Sequence, residues 1–321
     1  YSVITENEIK NIFKLNFKKK IFVSVGFTLP SKHFYKYFDK VYFRSPTVLN
    51  KQSKYTKSHE LIYHSFNEKI ISKMEMINFN SKKYNFSFCG SIYSDIALHH
   101  LKRYNYCYNL LENNYKIRFH LNEKNSINHF IRFYNYKMYN LFGNKIKYLS
   151  LFLKLFGKIV KTIFKKKYKF FYKVASDIDN LIGRKNILYK GPMKKNFPKK
   201  IFNGLFGVDY YNLINQSKIS LNIHTDIDKK LFGYNIRNFE ITGCNSCLLV
   251  EDGNGLNNIF KKDDECVAYN NYEELKDKIN YLSKNLNAAE KISKNGYKKT
   301  LNSHTHFLRS TEFLEDFKKY L

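Results

Sequence analysis

Arg237 and Glu240 stand three residues apart in the stretch GYNIRNFEITGCNSCLLVEDGNG, residues 233–255, which runs from a polar segment through an apolar run into an acidic, glycine-bearing turn. In a chain with a formal charge of +29, a lone carboxylate at the head of an apolar run needs a reason. A glutamate at the start of a helix can accept two hydrogen bonds from a vicinal diol such as a ribose, and an arginine one turn earlier can hold a phosphate or fix the carboxylate. An Arg and a Glu three apart on a helix also make an ordinary surface pair. Cys244 and Cys247 have CxxC spacing, but one pair supplies half of a tetrahedral zinc site, and no second pair or HxxxH completes it. Small buried thiols at a helix-to-strand junction are the alternative.

The elements that must position these residues alternate. From about residue 84, strand-like runs at 84–91, 115–121, 186–189, 218–224, 246–252 and 265–269 alternate with amphipathic helical patterns, among them VDYYNLINQS, a helix around NFEITG, NYEELKDKINYLSKN and NAAEKISKNGYKKTL. This rhythm predicts βαβ units and an α/β fold with a doubly wound, Rossmann-like parallel sheet. Such sheets take ligands at the carboxyl ends of their strands. Residues 19–27, 38–45 and 60–66 are three further strand-like runs, few for an independent domain. The expected organisation is a partial amino-terminal α/β domain over 1–80, a nucleotide-binding domain over 81–310 with an insertion at 123–185, and a closing helix over 305–321. The first residue is Tyr1, which suggests a trimmed chain whose amino-terminal domain is incomplete.

Composition narrows the class. The 321 residues suit two domains or one large one. No apolar run of about 18 residues and no signal peptide is visible, so the expected location is cytoplasmic. Five cysteines, odd in number and scattered, fit a reducing compartment. The excess of 56 Lys and Arg over 27 Asp and Glu points to a polyanionic partner or to AT-rich coding, since Lys, Asn, Ile, Phe and Tyr crowd the chain and Trp is absent.

Placement of charge says more than its total. Residues 145–173 hold ten lysines and no acid. Leu149, Phe152, Leu153, Phe156, Val160, Ile163 and Phe164 recur at helical spacing, with Lys147, Lys154, Lys158, Lys161 and Lys165 opposite. A basic amphipathic helix of this kind suits the inner face of an anionic membrane, and equally packs on its own protein core.

Several blocks resemble group 1 glycosyltransferases of GT-B fold, in particular the branch of spore-maturation-type proteins: FSFCGS at 86–91, GLFGVDYYNLINQSKISLNIH at 204–224, NIRNFEITGCNSCLLVED at 235–252, GLNNIFKKDDECVAYNNYEELKDKINYL at 255–282 and ISKNGYKKTLNSHTHFLR at 292–309. The resemblance implies that Glu240 contacts the donor ribose with Arg237 as its companion. It implies that Gly90 and Ser91 form the glycine-bearing loop beside the donor phosphates and that Lys218 neighbours a phosphate. Tyr211, His224 and Asn235 fall in the same blocks as possible donor-cleft residues, although a packed tyrosine and a satisfied strand-end histidine are the plainer readings. It further implies a retaining transferase without bound metal or cofactor, whose substrate is a nucleotide diphosphate sugar and whose acceptor is a glycan or lipid-linked glycan. No zinc finger, helix-turn-helix or RNP-type motif is visible, so no specific nucleic acid is expected.

Two departures stand out. Relatives carry an earlier glutamate eight positions before Glu240, where this chain has Phe232, and a glycine after the helix where it has Asn245. Asn245 still permits a left-handed turn. No catalytic base is identified. A non-catalytic protein binding nucleic acid or anionic membrane through 145–173, and a sugar epimerase of the same fold, are the alternatives.

Overall fold

The computed structural model describes residues 20–24, 35–44, 46–92, 100–123, 145, 147–163, 191–224, 235–253 and 255–320. Its strands are β1 (Ile21–Ser24), β2 (Lys40–Phe43), β3 (His59–Leu61), β4 (Tyr84–Ile92), β5 (Arg118–Glu123), β6 (Ile201–Asn203), β7 (Ser217–Asn222), β8 (Cys247–Glu251) and β9 (Val267–Tyr269). The helices are α1 (Pro46–Gln52), α2 (Leu101–Glu112), α3 (Lys147–Ile163), α4 (Met193–Asn196), α5 (Gly207–Asn215), α6 (Ile236–Gly243), α7 (Tyr272–Lys284), α8 (Leu286–Ser303) and α9 (His306–Tyr320). Every strand pair with a recorded register is parallel, in the sheet orders β1-β2-β3 and β6-β5-β4-β7-β8-β9. The expected α/β class with parallel sheets and flanking helices is therefore what the chain adopts.

The chain groups into two compact units, one of 1–86, 207–222 and 228–321, the other of 87–206 and 223–227. The amino-terminal strands belong with the carboxy-terminal elements in the first unit.

In that unit β8 is buried along its whole length, the continuous apolar run that a strand covered on both faces requires. Its neighbours are aligned as Ile219↔Cys247 and Leu249↔Val267. Helix α8 packs on α6, β7 and β8, and at Gly296 a Cβ would meet the Glu265 carbonyl oxygen at 2.5 Å. Thr242 and Thr300 share a buried hydroxyl contact of 2.6 Å across the same helix pair. Helix α7 begins with a reciprocal cap in which Asn271 Oδ1 accepts from Glu274 N at 3.0 Å and Glu274 Oε2 from Asn270 N at 2.8 Å. The segment after β3 is stitched to the junction of α8 and α9 by Phe66 N to His304 O at 2.7 Å and His306 N to Phe66 O at 2.8 Å. Helix α9 then returns to β2, where Tyr42 OH donates to Asp316 Oδ2 at 2.5 Å beside the Lys40–Asp316 ion pair, and Tyr42 lies 4.7 Å from the Phe313 ring.

In the second unit β4 and β5 align as Phe88↔Phe119 and Gly90↔Leu121, and β5 and β6 as Phe119↔Ile201. Strand β6 has no counterpart among the expected strands, because its three residues sit between lysines and a glycine turn and carry no alternation. The strand expected at 186–189 lies outside the described residues. At Gly204 a Cβ would stand 2.8 Å from Asn122 Cβ, so the chain leaving β6 requires glycine there.

Candidate functional site

Asn235 starts the site by capping α6: its backbone is extended and its Oδ1 accepts from Arg237 N at 2.9 Å. The helix then buries Asn238, Phe239, Ile241, Thr242 and Gly243 against the core. Arg237 and Glu240 fall on the half-buried side, where a helix three residues on repeats its face. At the far end Asn245 takes a φ of 51°, the left-handed turn that asparagine tolerates in place of glycine.

Glu240 Oε1 accepts from Tyr211 OH at 3.0 Å, and the Tyr210 hydroxyl also donates to this carboxylate. Burial pushes the Glu240 carboxyl above the usual range, while the Tyr211 bond, the Arg237 charge, the Tyr210 bond and His306 pull it back. Burial and then the Glu240 charge raise the Tyr211 phenol well above its ordinary value. A carboxylate held by phenol donors and facing a guanidinium suits the recognition of hydroxyl groups.

At the carboxyl end of β7, Asn222 Nδ2 donates to Asn238 Oδ1 at 2.7 Å, tying that strand to α6. Asn222 is fully buried, and its Oδ1 meets no hydrogen-bond partner among the described residues. The segment 225–234 between them lies outside the described residues. Lys82, nearly buried, donates to Asn215 O at 2.8 Å and to Cys244 O at 3.4 Å, so one ammonium caps the ends of α5 and α6 together. Burial lowers its pKa to about 8. None of Tyr210, Asn222, Asn238 or Lys82 is legible as a site residue in the sequence, because each gains meaning from a partner distant along the chain.

Other expected residues fall differently. Gly90 and Ser91 lie inside β4, as the strand-like run at 84–91 anticipates, paired with Leu121 and Asn122; residues 93–99 lie outside the described residues. The Ser91 carbonyl accepts from Arg103 Nη1 at 2.9 Å and lies 3.0 Å from His100 Nδ1, while Arg103 Nε donates to Ile223 O at 2.7 Å. Positive charge thus reaches the carboxyl end of β4 from α2, which the helical pattern alone did not single out. Lys218 is the second residue of β7, about 13 Å from its carboxyl end at the rise of an extended strand, on the side away from where such sheets take ligands. His224 is buried just beyond β7.

The acidic turn has a structural answer. Glu251 is buried at the end of β8, and Asp252 pairs with Lys262 at 2.6 Å. Cys244 and Cys247 are buried free thiols whose pKa values burial raises, and no cluster of three or more metal-ligating side chains occurs among the described residues.

Helix α3 exists as expected, with its exposed stripe rotated. Tyr148, Leu151, Phe152, Leu155 and Phe156 are exposed, whereas Leu149 and Leu153 are half-buried and Ser150 is buried. Lys154 is half-buried; the side chains of Lys147, Lys158 and Lys161, and all of Lys165, lie outside the described residues. No helix among the described residues is long and apolar enough to cross a membrane.

Comparison with known proteins gives a family match and likenesses in fold. Residues 169–315 match the family model described as glycosyl transferase-like. No curated protein matches the chain. Among solved structures, sucrose-phosphate synthase of Thermosynechococcus elongatus superposes with a TM-score of 0.57 at 8% identity, over 98% of this chain and 70% of that one. HepE of Anabaena, solved with UDP-glucose, gives 0.54 at 10% identity over 93% and 72%. An alpha-glucosyltransferase solved with UDP-glucose and DNA containing an abasic site gives 0.58 at 10% identity over 99% and 78%.

Proposed function

We propose that this chain, whose residues 169–315 match the glycosyl transferase-like family model, moves a sugar from a nucleoside diphosphate sugar to a hydroxyl of a glycan or lipid-linked glycan, with retention and without a bound metal. The observation that carries the reading is the Glu240 carboxylate on α6, held by Tyr211 and facing Arg237. Glu240 accepts from the donor's ribose hydroxyls. Departure of the nucleoside diphosphate leaves an oxocarbenium-like sugar and develops negative charge on the phosphate. Arg237 is the group assigned to offset that charge. The UDP-glucose complexes of HepE and the alpha-glucosyltransferase make UDP the first nucleotide to try. Thermal melts with UDP, GDP, ADP and CMP, alone and as sugar conjugates, test the reading against Glu240→Ala. A shift with one nucleotide that disappears in the variant supports it; identical shifts in both chains sink the assignment of Glu240.

A second reading concerns α3, whose exposed Tyr148, Leu151, Phe152 and Leu155 occur in a segment with ten lysines and no acid. It places the enzyme on the cytoplasmic face of an anionic membrane, where a lipid-linked acceptor would be reached. Flotation with phosphatidylglycerol vesicles that is lost in Leu151→Glu/Phe152→Glu supports it; absence of flotation in the wild type rejects it. Because one neighbour was solved with DNA, binding to a DNA duplex that weakens steeply with salt would instead favour a nucleic-acid partner.

A further inference from the structure

We propose that Tyr211 is a positioning residue for the donor site: its hydroxyl holds the Glu240 carboxylate in the orientation that accepts the donor's ribose diol. This inference rests on the donor reading of Glu240. Tyr211 and Glu240 lie on different helices, 29 positions apart, and meet at 3.0 Å while both remain half-buried, within reach of a ligand. A lone carboxylate on a helix surface samples several rotamers, and a fixed phenol donor removes that freedom before the ligand arrives.

The phenol is itself held. The Tyr211 ring meets Phe66 edge-on at 6.3 Å and Tyr210 at 5.5 Å, and Phe66 is fully buried. Phe66 also presses on Gly243, one turn beyond Glu240 on the same helix. Lys82 then ties the carboxyl ends of α5 and α6, so the helices bearing the tyrosine and the glutamate are joined at a second point. The titratable groups acting on Glu240 are Tyr210 and Tyr211 from α5, Arg237 and Cys244 from α6 and its cap, and His306 from α9.

The experiment measures the affinity of the tightest binder among UDP, GDP and ADP, and of its 2′-deoxy form, across pH for the wild type, Tyr211→Phe and Glu240→Gln. Tyr211→Phe keeps the ring and its packing. In the wild type, binding weakens at acid pH as Glu240 takes up a proton. In Tyr211→Phe the charged form has lost a donor, so the acid limb moves to higher pH, affinity on the plateau falls about tenfold, and removing the 2′-hydroxyl costs less than in the wild type. Glu240→Gln has no acid limb. If Glu240→Gln weakens binding while Tyr211→Phe follows the wild-type curve, the positioning role is overturned and the donor reading stands. If no nucleotide binds, or Glu240→Gln binds as the wild type does, the donor reading fails and the positioning role fails with it.

Discussion

The ring of Phe66 covers Gly243 so closely that a Cβ on the glycine would stand 2.5 Å from Phe66 Cγ and 2.6 Å from both Cδ atoms. A residue just past the amino-terminal strands therefore wedges against the end of α6. Gly243→Ala forces the buried ring or the helix end to move, and we expect a loss of about 1–3 kcal/mol in urea unfolding. Adding Phe66→Leu to that variant should recover part of the loss, because the smaller side chain vacates the contested space. A Gly243→Ala chain as stable as the wild type would mean the ring is not fixed there.

Lys82 makes stability depend on pH in a direction that can be worked out. Burial lowers its pKa from 10.5 to about 8 in the folded chain. Below about pH 8 the ammonium is charged in both states and the fold bears the full desolvation cost. Between about 8 and 10.5 the unfolded chain binds the extra proton, so stability rises with pH by up to about 3 kcal/mol. Comparing urea unfolding of the wild type with Lys82→Met at pH 7, 8, 9 and 10 isolates this contribution from the buried thiols, which titrate in both chains. The wild type should gain on the variant as pH rises, and a constant difference would refute the buried ammonium.

Asn245 combines a left-handed backbone with a side-chain contact, since Ser293 Oγ lies 2.8 Å from both its O and its Oδ1. Asn245→Gly relieves the backbone and gives up the side-chain contact, so its net effect should stay within about 1 kcal/mol. Asn245→Val loses the contact and forces a β-branched residue into the left-handed region, for an expected cost of about 2 kcal/mol. Thermal denaturation of the two variants should separate them, and equal melting would contradict the turn.

Glu68 supplies a carboxylate to the start of α9, accepting from His306 N at 2.9 Å and Phe307 N at 3.2 Å. It serves as a cap delivered from a distant part of the chain, in favourable alignment with the helix dipole. Glu68→Ala should cost about 1 kcal/mol by chemical denaturation, and Glu68→Gln less, because the amide oxygen still accepts one bond. The difference should shrink in high salt if charge contributes, and persist unchanged if it does not.

Much of the architecture was legible before any contact was known. The run at 246–252 became β8, NFEITG became α6, and Asn245 turned as its side chain allows, because strand, helix and turn are set by run length, periodicity and local backbone sterics. Glu240 and Arg237 could be singled out because their types and spacing suit a diol and a phosphate. Strand β6 was not legible, because its three residues are specified by pairing with β5 and not by pattern.

The chain's own sequence determined the alternation of strands and helices, the ends of α6 and the carboxylate it presents. Tertiary structure decided the rest: that Gly90 and Ser91 pair with Leu121 and Asn122, and which stripe of α3 is exposed. It also decided that Tyr211 answers Glu240 and that Lys82 answers carbonyls 133 and 162 positions away. The physical reason is that propensity and periodicity act over a few residues, whereas the partner of a buried charge is set by strand order and by where the chain returns. A sequence shows that a charge will need a partner, and the packed fold alone selects which.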